Sequence, residues 1–309
     1  MNDAAPAAGA IAFEPRPVAP RTACLLTVDV EDWFHVNYTS FRAPAGPPSL
    51  RRVEENTDRI LELCARAGHR GTFFVLGCVA EDHPGLVRRI AGAGHEVACH
   101  GLAHELLYEQ GEQRFRRDVA AARARLQDLS GQHVLGFRAP SWSLTRRSLW
   151  ALDALLELGF RYDASLFAVE NYMYGLREAP PAPSFVRTPG GAEILEIPAP
   201  VLRVGPLRIP HGGGFYLRML PLWFERLAMQ RHAHRGEPSI LYVHPREVDD
   251  VEIAMELAPL EKLIQNARVA AGRAKVLRLL DGHRWQAIAD VYAAEIEPPL
   301  GAPTGAATS

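Results

Sequence analysis

Short apolar runs alternate along this chain with stretches of helical periodicity, and that alternation constrains the fold more than any other feature. Residues 23–30 (ACLLTVDV), 72–76 (TFFVL), 95–99, 134–137 and 239–243 have the length and apolar content of buried strands. Between them, 51–67, 84–93, 112–129 and 145–158 space their apolar residues as helices do, with Gly68, Gly94 and Gly159 standing where such helices would stop. A β-α-β-α order predicts parallel strands covered by helices, either a closed barrel or an open wound sheet. A chain of 309 residues can build one domain of that size.

The polar residues that interrupt the apolar runs share a position. Asp29, His100, Arg138 and His244 each fall where a strand should end, the face on which α/β folds gather their chemistry. The segment 170–214 breaks the rhythm with many prolines and glycines, including HGGG at 211–214, and is expected to form an edge or a substrate-facing lid. With 48% hydrophobic and 23% charged residues and a formal net charge of -2, the chain has a globular composition and no bias toward polyanions such as nucleic acid. Cys24, Cys64, Cys78 and Cys99 form no C-x-x-C pair and read as reduced. Neither a leader-like segment nor an apolar run of membrane-spanning length is present in the sequence, so a cytoplasmic location is expected.

Two clusters could carry chemistry. Asp29, Glu31 and Asp32 crowd like charges at a strand end, an arrangement that a cation or hydrogen-bond donors must offset. The alternative for these carboxylates is a solvated, helix-capping role. His100 and His104 are four apart, so one helical turn would aim both imidazoles at a single metal ion, although such pairs also arise by chance. Trp33, Phe34, Trp142 and Tyr216 beside these clusters could stack on sugar rings or serve ordinary packing.

The ordered motifs TVDVED, HGLAH, FRAPSW, YDAS and LYVHP, from Cys24 to Pro245, resemble those of the NodB-like polysaccharide deacetylases, carbohydrate esterase family 4. Within that family, DVEDWF, FRAPSWS, YDASLF and HGGGFYLR resemble the subgroup associated with exosortase-linked exopolysaccharide clusters. The resemblance implies a distorted (β/α)7-type barrel, single-domain, with an open groove for an N-acetylated polymer. It implies Asp29 as general base, His100 and His104 as metal ligands, and His244 as general acid. Arg138 would tune Asp29, the Ser141 backbone N–H would stabilise an oxyanion, and Trp142 would line the substrate groove. Asp163 in YDAS would hold Arg138 or His244, with a strand-end cap as the alternative. The common form of the family has two adjacent aspartates, base then ligand, whereas Val30 follows Asp29 here, leaving both Glu31 and Asp32 as candidate third ligands. The cofactor implied is one divalent ion, zinc first, with cobalt, nickel and manganese as alternatives.

On this reading residues 1–20 and 298–309 are irregular tails, and 21–297 form the deacetylase domain, with core motifs at 24–245 and an extension at 246–297. The expected activity is hydrolysis of N-acetyl groups from N-acetylhexosamine units of a polysaccharide or its lipid-linked precursor, in association with membrane-bound synthesis machinery. An allantoinase-like cyclic amide hydrolase and a non-catalytic polysaccharide-binding module are the competing readings.

Overall fold

The computed structural model describes residues 13, 15–41, 51–171, 173–251, 253 and 255–296. Seven parallel strands form its centre: β1 Cys24–Val30, β2 Thr72–Val75, β3 Glu96–Cys99, β4 Gly136–Phe137, β5 Tyr162–Asp163, β6 Glu193–Glu196 and β7 Ser239–Val243. They lie side by side in the order β6, β5, β4, β3, β2, β1, β7. The two-residue strands β4 and β5 are the shortest of the seven, and here the barrel departs most from regularity.

The strands are buried on both faces, which explains their near-continuous apolar runs. One set of side chains, including Leu25, Phe74, Ala98, Tyr162, Leu195 and Ile240, packs together with Ile288, Tyr292 and Ile296 from the short C-terminal helices. Those helices follow Trp285–Gln286, which pairs with Cys24–Leu25 at the start of β1, so they close the end where the strands begin. The opposite set faces the surrounding helices Val53–Ala67, Pro84–Gly92, Glu112–Ser130 and Trp150–Glu157. The first of these stops where expected: Gly68 adopts φ 67° and returns its N–H to Ala65. The last is shorter than the expected 145–158, because Ser148 Oγ accepts the Thr145 N–H and donates to the Ser143 carbonyl, holding residues 143–148 in a turn.

The segment 170–214 takes the edge alternative of its sequence reading, with more regular structure than its prolines and glycines suggest. It supplies β6, the outer strand Ser184–Arg187 antiparallel to β6, and the hairpin Val201–Val204 with Leu207–Pro210. Gly212 and Gly213 lie against β7, and Gly214 also lines the cavity at the strand ends. Gly213 bridges to Tyr242, Gly212 accepts the Tyr242 N–H at 2.8 Å, and His211 donates its N–H to Pro200 at 3.3 Å. This stretch therefore spans the gap between β7 and the chain leaving β6. A Cβ on Gly213 would come 2.1 Å from the Tyr242 carbonyl oxygen, so space alone demands glycine there.

Arg16–Pro17 also departs from the expected irregular lead, since it pairs with Ser184–Phe185 and gains two-strand order from that edge. Of the two expected tails, residues 1–12, 14 and 298–309 lie outside the described residues. All four cysteines are free. Among the described residues no helix is long and apolar enough to cross a membrane.

Candidate metal and catalytic centre

At the end where the seven strands finish, a cavity of about 380 Å³ is walled by Asp29, Glu31, His100, His104, Ser141, Trp142 and His244, among others. Parallel pairing produces this convergence: Asp29 is the penultimate residue of β1, and His100, Arg138 and His244 directly follow β3, β4 and β7.

His100 and His104 meet, but not through a helix. Residues 100–106 form a loop in which Gly101 has φ 84° and His104 φ 57°, and this turn back toward the strand end brings the two rings to 5.5 Å. The helical-turn expectation fails because helix resumes only at Leu107. His100 Nδ1 lies 2.9 Å from the Arg138 carbonyl, which fixes Nδ1 as the protonated nitrogen and leaves the Nε2 lone pair facing the cavity.

The carboxylate that joins them is Glu31. Its Oε2 lies 2.7 Å from His104 Nε2 and 3.7 Å from His100 Nε2. Asp32 faces elsewhere. Its Oδ1 accepts the Trp33 N–H, and its Oδ2 accepts the N–H groups of Arg52 and Val53 at 2.9 and 3.2 Å, at the start of helix Val53–Ala67. It thus follows the helix-capping alternative, using orphan donors that every helix start presents. Burial pushes its carboxyl above the ordinary value despite those donors. Burial would also raise Glu31, but His104, His100 and His244 outweigh it and hold Glu31 well below the usual carboxylate range.

Among the described residues, Glu31, His100 and His104 are the one group of three or more such side chains that could hold a metal ion, their donor atoms within 4.8 Å of one another. The donor chemistry fits a divalent ion. Glu31 Oε2 is buried without an aligned hydrogen-bond partner, close to His104 as it is. Adjacent ligands of a tetrahedral zinc ion would lie about 3.3 Å apart, which is within the observed spread.

Asp29 sits on the opposite flank. Arg138 Nη1 donates to its Oδ1 at 2.7 Å and to Thr27 Oγ1 at 3.0 Å, while Nε donates to the Ala164 carbonyl at 3.2 Å. The guanidinium is buried between the Phe74 and Trp142 rings, 4.1 and 4.7 Å from their centroids. The second oxygen of Asp29 lies 3.9 Å from His244 Nε2, and Glu31 Oε1 is 3.8 Å from the same nitrogen. Burial disfavours the charged imidazole of His244, yet Glu247, Glu31 and Asp29 together raise its pKa to about 9.

Glu247, which the sequence reading missed, is the partner of His244. Its Oε2 accepts the His244 N–H at 3.2 Å, and its Oε1 is 3.7 Å from Nδ1. The signal was present as a carboxylate three residues beyond the histidine, the spacing of a capping box. Asn37, also missed, lies 3.3 Å from His104 Nδ1 and 3.0 Å from Ser141 Oγ through its side-chain amide. No local pattern points to it, because the loop 31–41 folds over the site only in three dimensions.

Asp163 contacts neither Arg138 nor His244, contrary to expectation. Its Oδ1 accepts Ser165 Oγ–H at 2.5 Å, and Ser165 Oγ accepts the Ala139 N–H at 2.8 Å. Asp163 thereby anchors the turn that carries Ser141 and Trp142, both left-handed at φ 50° and 54°. Burial raises Asp163 to about 6 beside Glu196, its cross-strand neighbour. Trp142 packs edge-on against Tyr242 at 5.4 Å while also lining the cavity. Trp33 and Tyr216 line it too, whereas Phe34 turns to a separate surface depression.

Residues 44–162 match the family described as polysaccharide deacetylase, and residues 164–293 match a domain of unknown function, DUF3473. A chitooligosaccharide deacetylase of Sinorhizobium fredii is 33% identical over 124 residues, covering 37% of this chain and 54% of that protein. A peptidoglycan-N-acetylglucosamine deacetylase of Bacillus cereus is 31% identical over 100 residues, covering 32% of this chain and 36% of that protein. The chain thus spans about half the length, or less, of these curated relatives. Over nearly the whole chain it resembles solved structures: a polysaccharide deacetylase from Mycobacterium smegmatis (TM-score 0.58, 22% identity, 93% of this chain and 98% of that one) and Puue allantoinase (TM-score 0.57, 18% identity, 90% and 93%). The fold is that of the NodB-like deacetylases, a distorted α/β barrel in one domain.

Proposed function

We propose that this protein is a metal-dependent N-deacetylase acting on N-acetylhexosamine units of a polysaccharide or its precursor. The observation that carries the reading is one cavity in which Glu31, His100 and His104 converge beside an Arg138-paired Asp29 and a carboxylate-backed His244. Glu31, His100 and His104 would hold a divalent ion, which supplies electrophilic activation of the acetyl carbonyl and acidification of water.

The chain's own groups do the rest. Arg138 keeps one oxygen of Asp29 occupied, leaving the other to accept the proton of the attacking water. As water adds to the carbonyl carbon, charge gathers on its oxygen, and the Ser141 N–H in its left-handed turn is the candidate backbone donor. His244, backed by Glu247, gives its proton to the sugar nitrogen as the C–N bond breaks, releasing acetate and a free amine. The aromatic wall of Trp33, Trp142 and Tyr216 suits a sugar ring better than a small ureide. We further place the activity in exopolysaccharide synthesis, by resemblance to the exosortase-associated subgroup, at the cytoplasmic face of membrane-bound synthesis machinery.

The test is metal content together with acetate release from a panel of N-acetylglucosamine oligomers, with cyclic ureides alongside. Stoichiometric metal with acetate from the oligomers is the expected result. Ureide hydrolysis alone would favour the allantoinase-like reading, and metal without release from either would favour a binding module. His104→Ala should lose metal and activity together.

A further inference from the structure

Four arginines stand in or beside the strand-end cavity and a second cavity of about 320 Å³ that shares Glu31, Asp32, Trp33, Arg246 and Gln265 with it. Three are fully engaged. Arg138 is spent on Asp29, Thr27 and Ala164. Arg52 forks onto Asp249 and reaches Glu55. Arg218 donates to the Ile264 and Ala267 carbonyls and faces Glu247 at 3.7 Å. Arg246 differs: its guanidinium makes one hydrogen bond, Nη2 to the Gln265 carbonyl at 3.0 Å, and among the described residues no carboxylate lies within ion-pair distance of it.

That pattern is informative because a half-buried guanidinium with a single hydrogen bond keeps donors available to an anion. Burial and the nearby Arg218 work against its charge, while Glu247, Tyr38 and Glu31 favour it without forming an ion pair. The adjacent Glu247 is already committed to His244 and Arg218. Arg246 thus lines both cavities beside Glu31, His100 and His104, and its guanidinium has the fork geometry that matches planar or tetrahedral oxyanions.

We propose that Arg246 forms an anion subsite next to the reacting centre, so that the preferred substrate carries an oxyanion, a uronate carboxylate or a phosphoryl group, on the unit beside the N-acetylated sugar. This rests on the deacetylase reading for its saccharide class, but binding tests it separately from catalysis. The experiment titrates the metal-loaded protein, by tryptophan fluorescence, with three N-acetylated oligosaccharides of equal length: neutral, uronate-containing and phosphorylated at the reducing end. Wild type, Arg246→Gln and Arg246→Lys are compared, with thermal unfolding confirming that each is folded, and acetate is assayed in the same samples.

At least one acidic ligand should bind on the order of tenfold tighter than the neutral one. That ratio should shrink with salt, collapse toward one in Arg246→Gln and survive in part in Arg246→Lys. The uronate and phosphoryl arms show which oxyanion the subsite takes. Equal binding of neutral and acidic ligands, no binding of any, or an acidic preference retained in Arg246→Gln, as an anion held by the metal alone would give, overturns the proposal. Absence of acetate with the preference intact would instead overturn the deacetylase reading.

Discussion

Residue by residue, the site separates carboxylates that sit within four positions of one another. Asp29 faces Arg138, Glu31 faces the imidazoles and Asp32 faces backbone donors, so three neighbouring acids meet three different charges. Substitutions should part these roles. Asp29→Asn should retain metal and lower kcat by about two orders of magnitude or more, as loss of a general base does, read from acetate release with metal analysis. Glu31→Gln should lose metal. Asp32→Ala should retain it and lose about 1 kcal/mol of stability, the cost of a deleted cap, measured by urea unfolding. Metal retained in Glu31→Gln and lost in Asp32→Ala would reverse the assignment. Asp29, His100, Arg138 and His244 were legible in the sequence because each ends or adjoins an apolar strand, and strand ends are where a parallel sheet exposes side chains to a common space; His104 was legible only by its spacing from His100. Asn37 was not legible, because its contacts are made across 67 and 104 residues.

Among the elements, the strands with long apolar runs were read within a residue or two of their ends, while Tyr162–Asp163 and Glu193–Glu196 were not assigned as strands. Tyr162–Asp163 is only two residues long and Glu193–Glu196 carries a glutamate at each end, so neither shows the apolar run that marks Thr72–Val75, and the pairing of Asp163 with Glu196 makes them visible only in register. The glycine segment 212–214 shows the same limit: turn and close approach look alike in sequence. Gly213→Ala should cost about 3 kcal/mol, an overpacking penalty, since its Cβ has no room beside Tyr242. A thermal midpoint within a degree of the parent would contradict this. The join between β2 and β3 adds a pH dependence. His95 Nδ1 accepts the Gly71 N–H at 3.1 Å, and burial lowers its pKa from 6.5 to about 4. The unfolded chain therefore binds the extra proton, so the stability contribution is complete above about pH 6.5 and declines as pH falls toward about 4. It amounts to about 3 kcal/mol. His95→Gln should flatten the decline between pH 6.5 and 4 in denaturant titrations; a parallel decline in the variant would remove His95 as its source.

For the whole molecule, the cluster of Glu31, His100 and His104 joins the end of β1 to the loop after β3, and the cavity draws walls from both the deacetylase-matched segment and the DUF3473 segment. Metal binding should therefore stabilise the entire domain. At free zinc a thousandfold above Kd the gain would be about 4 kcal/mol, seen as a raised unfolding midpoint that chelation reverses and His104→Ala abolishes. An unchanged midpoint would mean that the three ligands do not act together. The amino-acid sequence by itself determined the α/β class, the strands long enough to repeat a pattern, and the strand-end residues, because periodicity and chain-local spacing are written in one dimension. Only the tertiary structure decided which acid joins His100 and His104, what backs His244, and how the gap beside β7 is closed. Those outcomes depend on where loops cross in space and which donors each carboxylate meets. At Asp29, Glu31 and Asp32 a single rise along the chain turns the side chain toward a different partner.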